Sequence, residues 1–125
     1  MGSSVTKTQQ FVLDNGLQVI LAETHASPVI STWLWYRVGS RNEDGLPTGL
    51  SHWVEHMLFK GTQRYPKGSI MRLVSQHGGY ANALTSQDFT TYYATVARDR
   101  VGLVLDYEAD RMAGALFDPE EVASE

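Results

Sequence analysis

The chain has 125 residues, the length of one ordinary domain, and its 42% hydrophobic content predicts a folded core. Fourteen acidic side chains against ten basic ones give a net charge of −4, which argues against a nucleic-acid partner because such surfaces need clustered Lys and Arg. The absence of cysteine excludes disulfides, thiolate metal sites and cysteine nucleophiles, so any metal must be held by His, Asp or Glu.

Residues 1–8 are predicted to form a flexible tail, and residues 9–125 one folded unit. Residues 1–6 fit the short pattern for N-terminal myristoylation, but that pattern is common and we interpret it as part of the tail. The start of the chain lacks the basic-then-apolar order of a signal peptide, and no stretch reaches the roughly 18 apolar residues of a membrane span. We therefore expect a soluble chain with no membrane partner.

Three strands are predicted in the first third of the chain. Apolar runs at residues 10–13 and 17–22 flank Asp14-Asn15-Gly16, and an Asn-Gly pair between such runs is typical of a β-hairpin. Residues 29–38 are rich in β-branched and aromatic side chains, which indicates a third, largely buried strand. A polar loop is predicted at residues 39–45.

Two helices are predicted next. Large apolar side chains recur at three- and four-residue steps over residues 49–59, with Thr48 as the expected N-cap and Gly61 placed to end the segment. A second, shorter helix is predicted over residues 69–76, followed by Gly78-Gly79.

The remaining sequence predicts two strands, at residues 80–84 and 89–96, and an amphipathic helix over residues 99–115. A last helix is expected to begin after Asp118, with Pro at its first position and Glu121 three residues beyond the cap, as in a capping box. This order predicts an α+β fold in which helices pack on an antiparallel or mixed sheet. It also suggests that the chain stops inside a helix.

The chemistry of the chain is concentrated in the predicted first helix, where His52, Glu55 and His56 form a His-x-x-Glu-His motif. Residues four apart lie on one face of a helix, with Cβ atoms roughly 5–6 Å apart, so two imidazoles can converge on one zinc ion. The carboxylate of Glu55 would lie beside that ion, where it can take a proton from an attacking water. The alternative interpretation is a solvated helix face that binds nothing.

The residues around this motif, 48–62, closely resemble the signature of the pitrilysin-type zinc peptidases, peptidase family M16, which are inverzincins. Ser51 and Trp53 stand where that family more often has Ala and Phe. Further similar stretches occur at residues 13–17, 38–43, 79–85 and 109–112. The resemblance covers nearly everything from residue 10 onward, and it implies a processing-peptidase-like metallohydrolase fold and a zinc-dependent endopeptidase acting on peptides or unfolded proteins.

Residue roles follow from the resemblance. It implies that His52 and His56 bind zinc and that Glu55 is the general base. It assigns Asn82 and Ala83 to an edge strand that pairs with an extended substrate, although the residues alone suggest an ordinary turn into a strand. It gives Glu125 a supporting role about two helical turns before a third zinc ligand, a glutamate after the last residue given. A plain surface carboxylate is the alternative for Glu125.

The resemblance also implies that residues 9–125 are the N-terminal part of the first of two metallopeptidase domains. A second half of this clamshell, or a second subunit, would then be a partner. We expect a zinc endopeptidase for the parent protein and little turnover by this chain alone. The alternative is a non-catalytic subunit or core protein of the same fold that assists assembly or substrate presentation. A lyase with a similar helix, S-ribosylhomocysteinase, needs a cysteine that this chain lacks.

Overall fold

A computed structural model describes residues 7–125. Most of the predicted tail, residues 1–6, lies outside these described residues, whereas residues 7–8 already belong to the first strand. The described part of the chain combines α-helices with antiparallel sheets, in agreement with the predicted α+β class. None of the helices within residues 7–125 has the length and apolar composition of a membrane span.

The first two strands form the predicted hairpin. Strand β1 (Lys7–Val12) pairs with β2 (Gln18–Glu23) in antiparallel register. In the turn, Asn15 Oδ1 accepts a hydrogen bond of 3.0 Å from the backbone N–H of Leu17, and Gly16 adopts φ = +90°, a conformation that favours glycine. The Asn-Gly pair therefore closes the hairpin for the reason that the sequence suggested.

The main sheet has three antiparallel strands: β3 (Val29–Tyr36), β4 (Tyr80–Thr85) and β5 (Thr90–Ala97). Their order is β3-β5-β4, so β5 is central and β4 pairs with no other strand among the described residues. The prediction of a largely buried third strand is wrong, because β3 alternates between the two faces. Trp33 and Trp35 lie on its exposed face, 48% and 54% accessible, where they stack on each other.

Residues 7–125 also contain four α-helices: α1 (Leu50–Met57), α2 (Ser69–Gln76), α3 (Val101–Gly114) and α4 (Pro119–Ser124). Helices α2 and α3 bury their apolar faces against the sheet, which is what their three- and four-residue spacing requires. The buried cluster that joins them to β4 and β5 consists of Ile70, Val74, Ala81, Ala94, Val96, Val104 and Tyr107. Helix α2 has the predicted bounds.

The start of α4 is partly as predicted. The Asp118 side chain caps the helix by accepting a 2.9 Å hydrogen bond from the backbone N–H of Glu120. The predicted capping box is wrong: the carboxylate of Glu121 contacts the ammonium groups of Lys60 and Lys67 at 3.1 and 2.7 Å. Two full positive charges attract this carboxylate more strongly than one backbone N–H does.

Gly79 packs tightly between α2 and the sheet. A Cβ added there would lie 2.4 Å from the carbonyl oxygen of Thr95 and 2.9 Å from Val96 Cγ1. We expect Gly79→Ala to lower the free energy of unfolding by about 1–3 kcal/mol, the usual cost of overpacking. Gly102→Ala in α3 is the control, because its added Cβ meets open space and alanine favours a helix by up to about 1 kcal/mol. Urea unfolding compares the two, and equal stabilities would contradict the expectation.

Candidate metal centre

Helix α1 is held at its first turn by a carboxylate from a preceding loop. Glu43 Oε1 accepts a 2.8 Å hydrogen bond from the N–H of Ser51, and Oε2 accepts one of 2.9 Å from the N–H of Gly49. These two hydrogen bonds hold the pKa of Glu43 below its usual range, and the bond from Ser51 has the larger effect. The prediction of Thr48 as N-cap is wrong: Gly49, at φ = +91°, occupies that position. A charged carboxylate that binds two N–H groups caps the helix better than one hydroxyl.

The two histidines of the motif converge. His52 Nε2 and His56 Nε2 are 3.0 Å apart, and both side chains are exposed. Their rings are nearly perpendicular, with centroids 4.4 Å apart. This separation is one that a tetrahedral ion with Zn–N distances of about 2.0–2.1 Å can bridge.

Glu55 lies beside this pair on the inner face of α1. It is only 8% exposed, and its Oε2 accepts a short hydrogen bond from the Thr85 hydroxyl at the end of β4. Potential ligand atoms of His52, Glu55 and His56 all lie within 4.8 Å of one another. This set of two imidazoles and one carboxylate contains only donor types that zinc accepts, so the residues present fit the ion.

Glu125 approaches the centre from α4. Its Oε2 lies 3.3 Å from His56 Nδ1, and its Oε1 lies 2.9 Å from Lys60 Nζ. Lys60, and to a smaller extent His56, holds the pKa of Glu125 below its usual range. Metal-binding histidines typically donate their second ring N–H to a carboxylate in this way, which leaves the other nitrogen free for the metal.

The open edge of β4 borders the same centre. A pocket of about 490 Å³ is bounded by α1, the loop that carries Glu43, and the end of β4 with its following turn. Its lining residues are Ser40, Glu43, Gly49, His52, Glu55, Ala83, Leu84, Thr85, Ser86 and Gln87. Ala83 thus lines the pocket together with His52 and Glu55. Asn82 is exposed beside them, and its Oδ1 accepts a 2.8 Å hydrogen bond from the backbone N–H of Ala83.

Three residues at this centre were missed by sequence reasoning: Glu43, Thr85 and Lys60. Glu43 belongs to the predicted polar loop at residues 39–45, Thr85 falls between the two strands predicted at residues 80–84 and 89–96, and Lys60 had no predicted role. Glu43 acts on residues six and eight positions away, Thr85 acts on a residue 30 positions away, and Lys60 acts on Glu125 at the far end of the described chain. The spacing of residues along the sequence does not predict such contacts.

Comparison with known proteins identifies a family to which this chain is similar. The sequence profile of the insulinase family, peptidase family M16, matches residues 18–125. The chain is 34% identical over 122 residues to a probable mitochondrial-processing peptidase subunit beta of Arabidopsis thaliana, covering 98% of this chain and 23% of that protein. It is 32% identical to the zinc protease YmxG of Bacillus subtilis over 117 residues, covering 94% and 29%.

A solved structure is similar as well. A protease from Helicobacter pylori superposes with a TM-score of 0.87 at 32% identity, over 93% of this chain and 28% of that one. The chain therefore spans about a quarter of the length of the relatives it matches.

Proposed function

The chain belongs to the insulinase family, peptidase family M16, and on that premise we propose that its parent protein is a zinc-dependent endopeptidase. The observation that carries the proposal is the convergence of His52 Nε2 and His56 Nε2 at 3.0 Å beside the buried carboxylate of Glu55. Its substrates would be peptides or unfolded proteins. The two imidazoles would hold the zinc, which when bound polarises a carbonyl and lowers the pKa of a water to about 7.

Glu55 would move the proton in this reaction. The Thr85 hydroxyl occupies Oε2, which leaves Oε1 free to take a proton from the attacking water and to pass it to the leaving amine. Burial between α1 and β4 keeps the carboxylate in one position. Thr85 would therefore orient the general base.

The open edge of β4 would bind the substrate as an added strand. Its position supports this role, because Ala83 lines the pocket that also contains His52 and Glu55. The N–H of Ala83 is satisfied by the side chain of Asn82. We propose that an extended peptide supplies a carbonyl oxygen to this N–H and displaces the Asn82 amide, so that the scissile bond lies over the metal centre.

The extent of the parent protein is also a proposal. The relatives are about three to four times as long as this chain, so we propose that residues 9–125 are the N-terminal part of the first metallopeptidase domain, with a second half or a second subunit as partner. Two imidazoles are one short of the three protein ligands typical of catalytic zinc sites. We expect a further glutamate to complete the set and little turnover by these 125 residues alone. A non-catalytic subunit is the alternative, and the complete motif argues against it.

Zinc binding tests this proposal. We expect His52→Ala and His56→Ala each to weaken zinc binding at least about tenfold, or 1.4 kcal/mol, because each removes one of two imidazole ligands. His25→Ala is the control, since His25 lies in the exposed stretch between β2 and β3. Competition with a chromophoric chelator measures the affinities. Equal zinc binding by the wild type and His52→Ala would overturn the proposal.

A further inference from the structure

A cluster of ion pairs joins the segment between α1 and α2 to α4 and its C-cap residue, Glu125. Lys60 Nζ lies 2.9 Å from Glu125 Oε1 and 3.1 Å from Glu121 Oε2. Lys67 Nζ lies 2.7 Å from Glu121 Oε1. We call these four side chains the lysine clamp. Lys60 is its central member, because it contacts both carboxylates, whereas Lys67 contacts only the one farther from the metal centre.

The clamp joins the turn that follows α1 to one side of α4. Lys60 lies in this turn, where its N–H donates to the carbonyl oxygen of Met57. The N–H of Glu125 donates to the carbonyl oxygen of Glu121, so these two acids are one helical turn apart on the same side of α4. The two segments meet with His56 opposite Glu125 and with Lys60 between both acids. The basic side of one segment is therefore matched to the acidic side of the other.

The two lysines of the clamp differ in their solvent exposure. The Lys60 side chain is 15% exposed and that of Lys67 is 59% exposed, so solvent screens the Lys60 pairs less. Helix α4 has no buried residue of its own, so polar contacts of this kind carry much of its attachment to the rest of the fold. The position of Glu125 thus depends strongly on Lys60.

We propose that Lys60 is a positioning residue for the metal centre: it holds Glu125 against His56 Nδ1, so that His56 carries its proton on Nδ1 and directs the Nε2 lone pair toward the metal. This inference rests on the proposed zinc function. It extends the centre beyond the motif and Glu125 to a residue that touches neither metal nor substrate. Without Lys60, Glu125 would face water and hold the His56 tautomer less firmly.

Lys60→Met in the 125-residue chain tests the proposal, because methionine keeps much of the aliphatic length and removes the charge. We expect zinc affinity to fall about tenfold, the lower end of the effect of outer-shell partners. A second readout needs no metal: the ¹⁵N chemical shifts of His56 report its tautomer. In the wild type they should show the proton on Nδ1, and in Lys60→Met a mixture of both tautomers.

Lys67→Met is the matched control, since it removes a lysine of the same clamp but leaves Lys60 on Glu125. We expect it to keep wild-type zinc affinity within about twofold, and Lys60→Arg to restore most of the affinity because a guanidinium can pair with both carboxylates. Circular dichroism checks that each variant is folded. If Lys60→Met is not, Lys60→Gln takes its place with the same two readouts.

The outcomes separate the two proposals. Wild-type zinc affinity and an unchanged His56 tautomer in the folded Lys60 variant would overturn the role of Lys60. Equal losses in the Lys60 and Lys67 variants would overturn it too, because they would indicate a general charge effect. If the wild-type chain takes up no zinc at all, the zinc proposal fails instead, and the His56 tautomer alone then decides the role of Lys60.

Discussion

Glu55→Gln is expected to slow peptide hydrolysis by the parent protein about 10²- to 10⁴-fold, the usual contribution of a general base. Glutamine has nearly the same shape and still accepts the hydrogen bond from Thr85, but its amide oxygen does not take up a proton at neutral pH. The loss should therefore appear in kcat, with KM and zinc content close to the wild type. Cleavage of an internally quenched fluorescent peptide measures both kinetic constants.

The control for this substitution is Glu23→Gln, which makes the same chemical change on an exposed strand of the hairpin. It should retain full activity. Retained activity in Glu55→Gln would remove Glu55 from the reaction, even if the two histidines still bound zinc. Loss of zinc in Glu55→Gln would instead identify the carboxylate as a ligand.

The parts of the fold that agree with prediction are those set by neighbouring residues. The hairpin depends on Asn15 and Gly16, which act within their own turn. Helix α2 ends where Gly78 adopts φ = +75°, a conformation that glycine tolerates and other residues rarely adopt. In both places the determining contacts span only a few residues, so a single sequence contains them.

The incorrect predictions concern features that depend on residues outside the local segment. The cap of α1 comes from Glu43 in a preceding loop, and β3 is half exposed because the described residues place helices on only one face of its sheet. Aromatic and β-branched composition indicates a strand but does not say which faces are covered. The strand was therefore predicted correctly and its burial was not.

The predictions for the candidate site differ in the same way between local and long-range contacts. His52 and His56 converge because both lie on one helix at a spacing of four, which is a local property that the sequence displays. The contact between Glu125 and His56 joins the C-cap of α4 to α1, and only the family resemblance suggested a role for Glu125. Neither a local spacing pattern nor the family resemblance suggested a role for Lys60. Its place in the clamp is seen only in the folded chain.

A buried ion pair on α3 is expected to contribute strongly to the stability of the fold. Arg111 is 2% exposed and binds both carboxylate oxygens of Glu108, at 2.6 and 3.1 Å. Its guanidinium also lies over three aromatic rings, those of Phe59, Tyr92 and Tyr107. Burial raises the pKa of Glu108, and the guanidinium opposes that rise. The two charges therefore depend on each other inside the fold.

Glu108→Ala is expected to lower the free energy of unfolding by about 3–5 kcal/mol, because it leaves a guanidinium buried without its counter-charge. Asp88→Ala is the control: it removes the acidic partner of Arg41 from a pair that is more than half exposed, and such pairs contribute about 0–1 kcal/mol. Urea unfolding monitored by circular dichroism measures both. A loss below 1 kcal/mol in Glu108→Ala would show that the rings alone hold the guanidinium.

The double variant Glu108→Leu with Arg111→Met separates the charge from the packing. Replacing both members of a buried ion pair by apolar side chains of similar size is often neutral or stabilising. We therefore expect the double variant to be more stable than Glu108→Ala, although it differs more from the wild type. If it is as unstable as the single variant, removing the Arg111 guanidinium from the three rings costs as much as leaving its charge uncompensated.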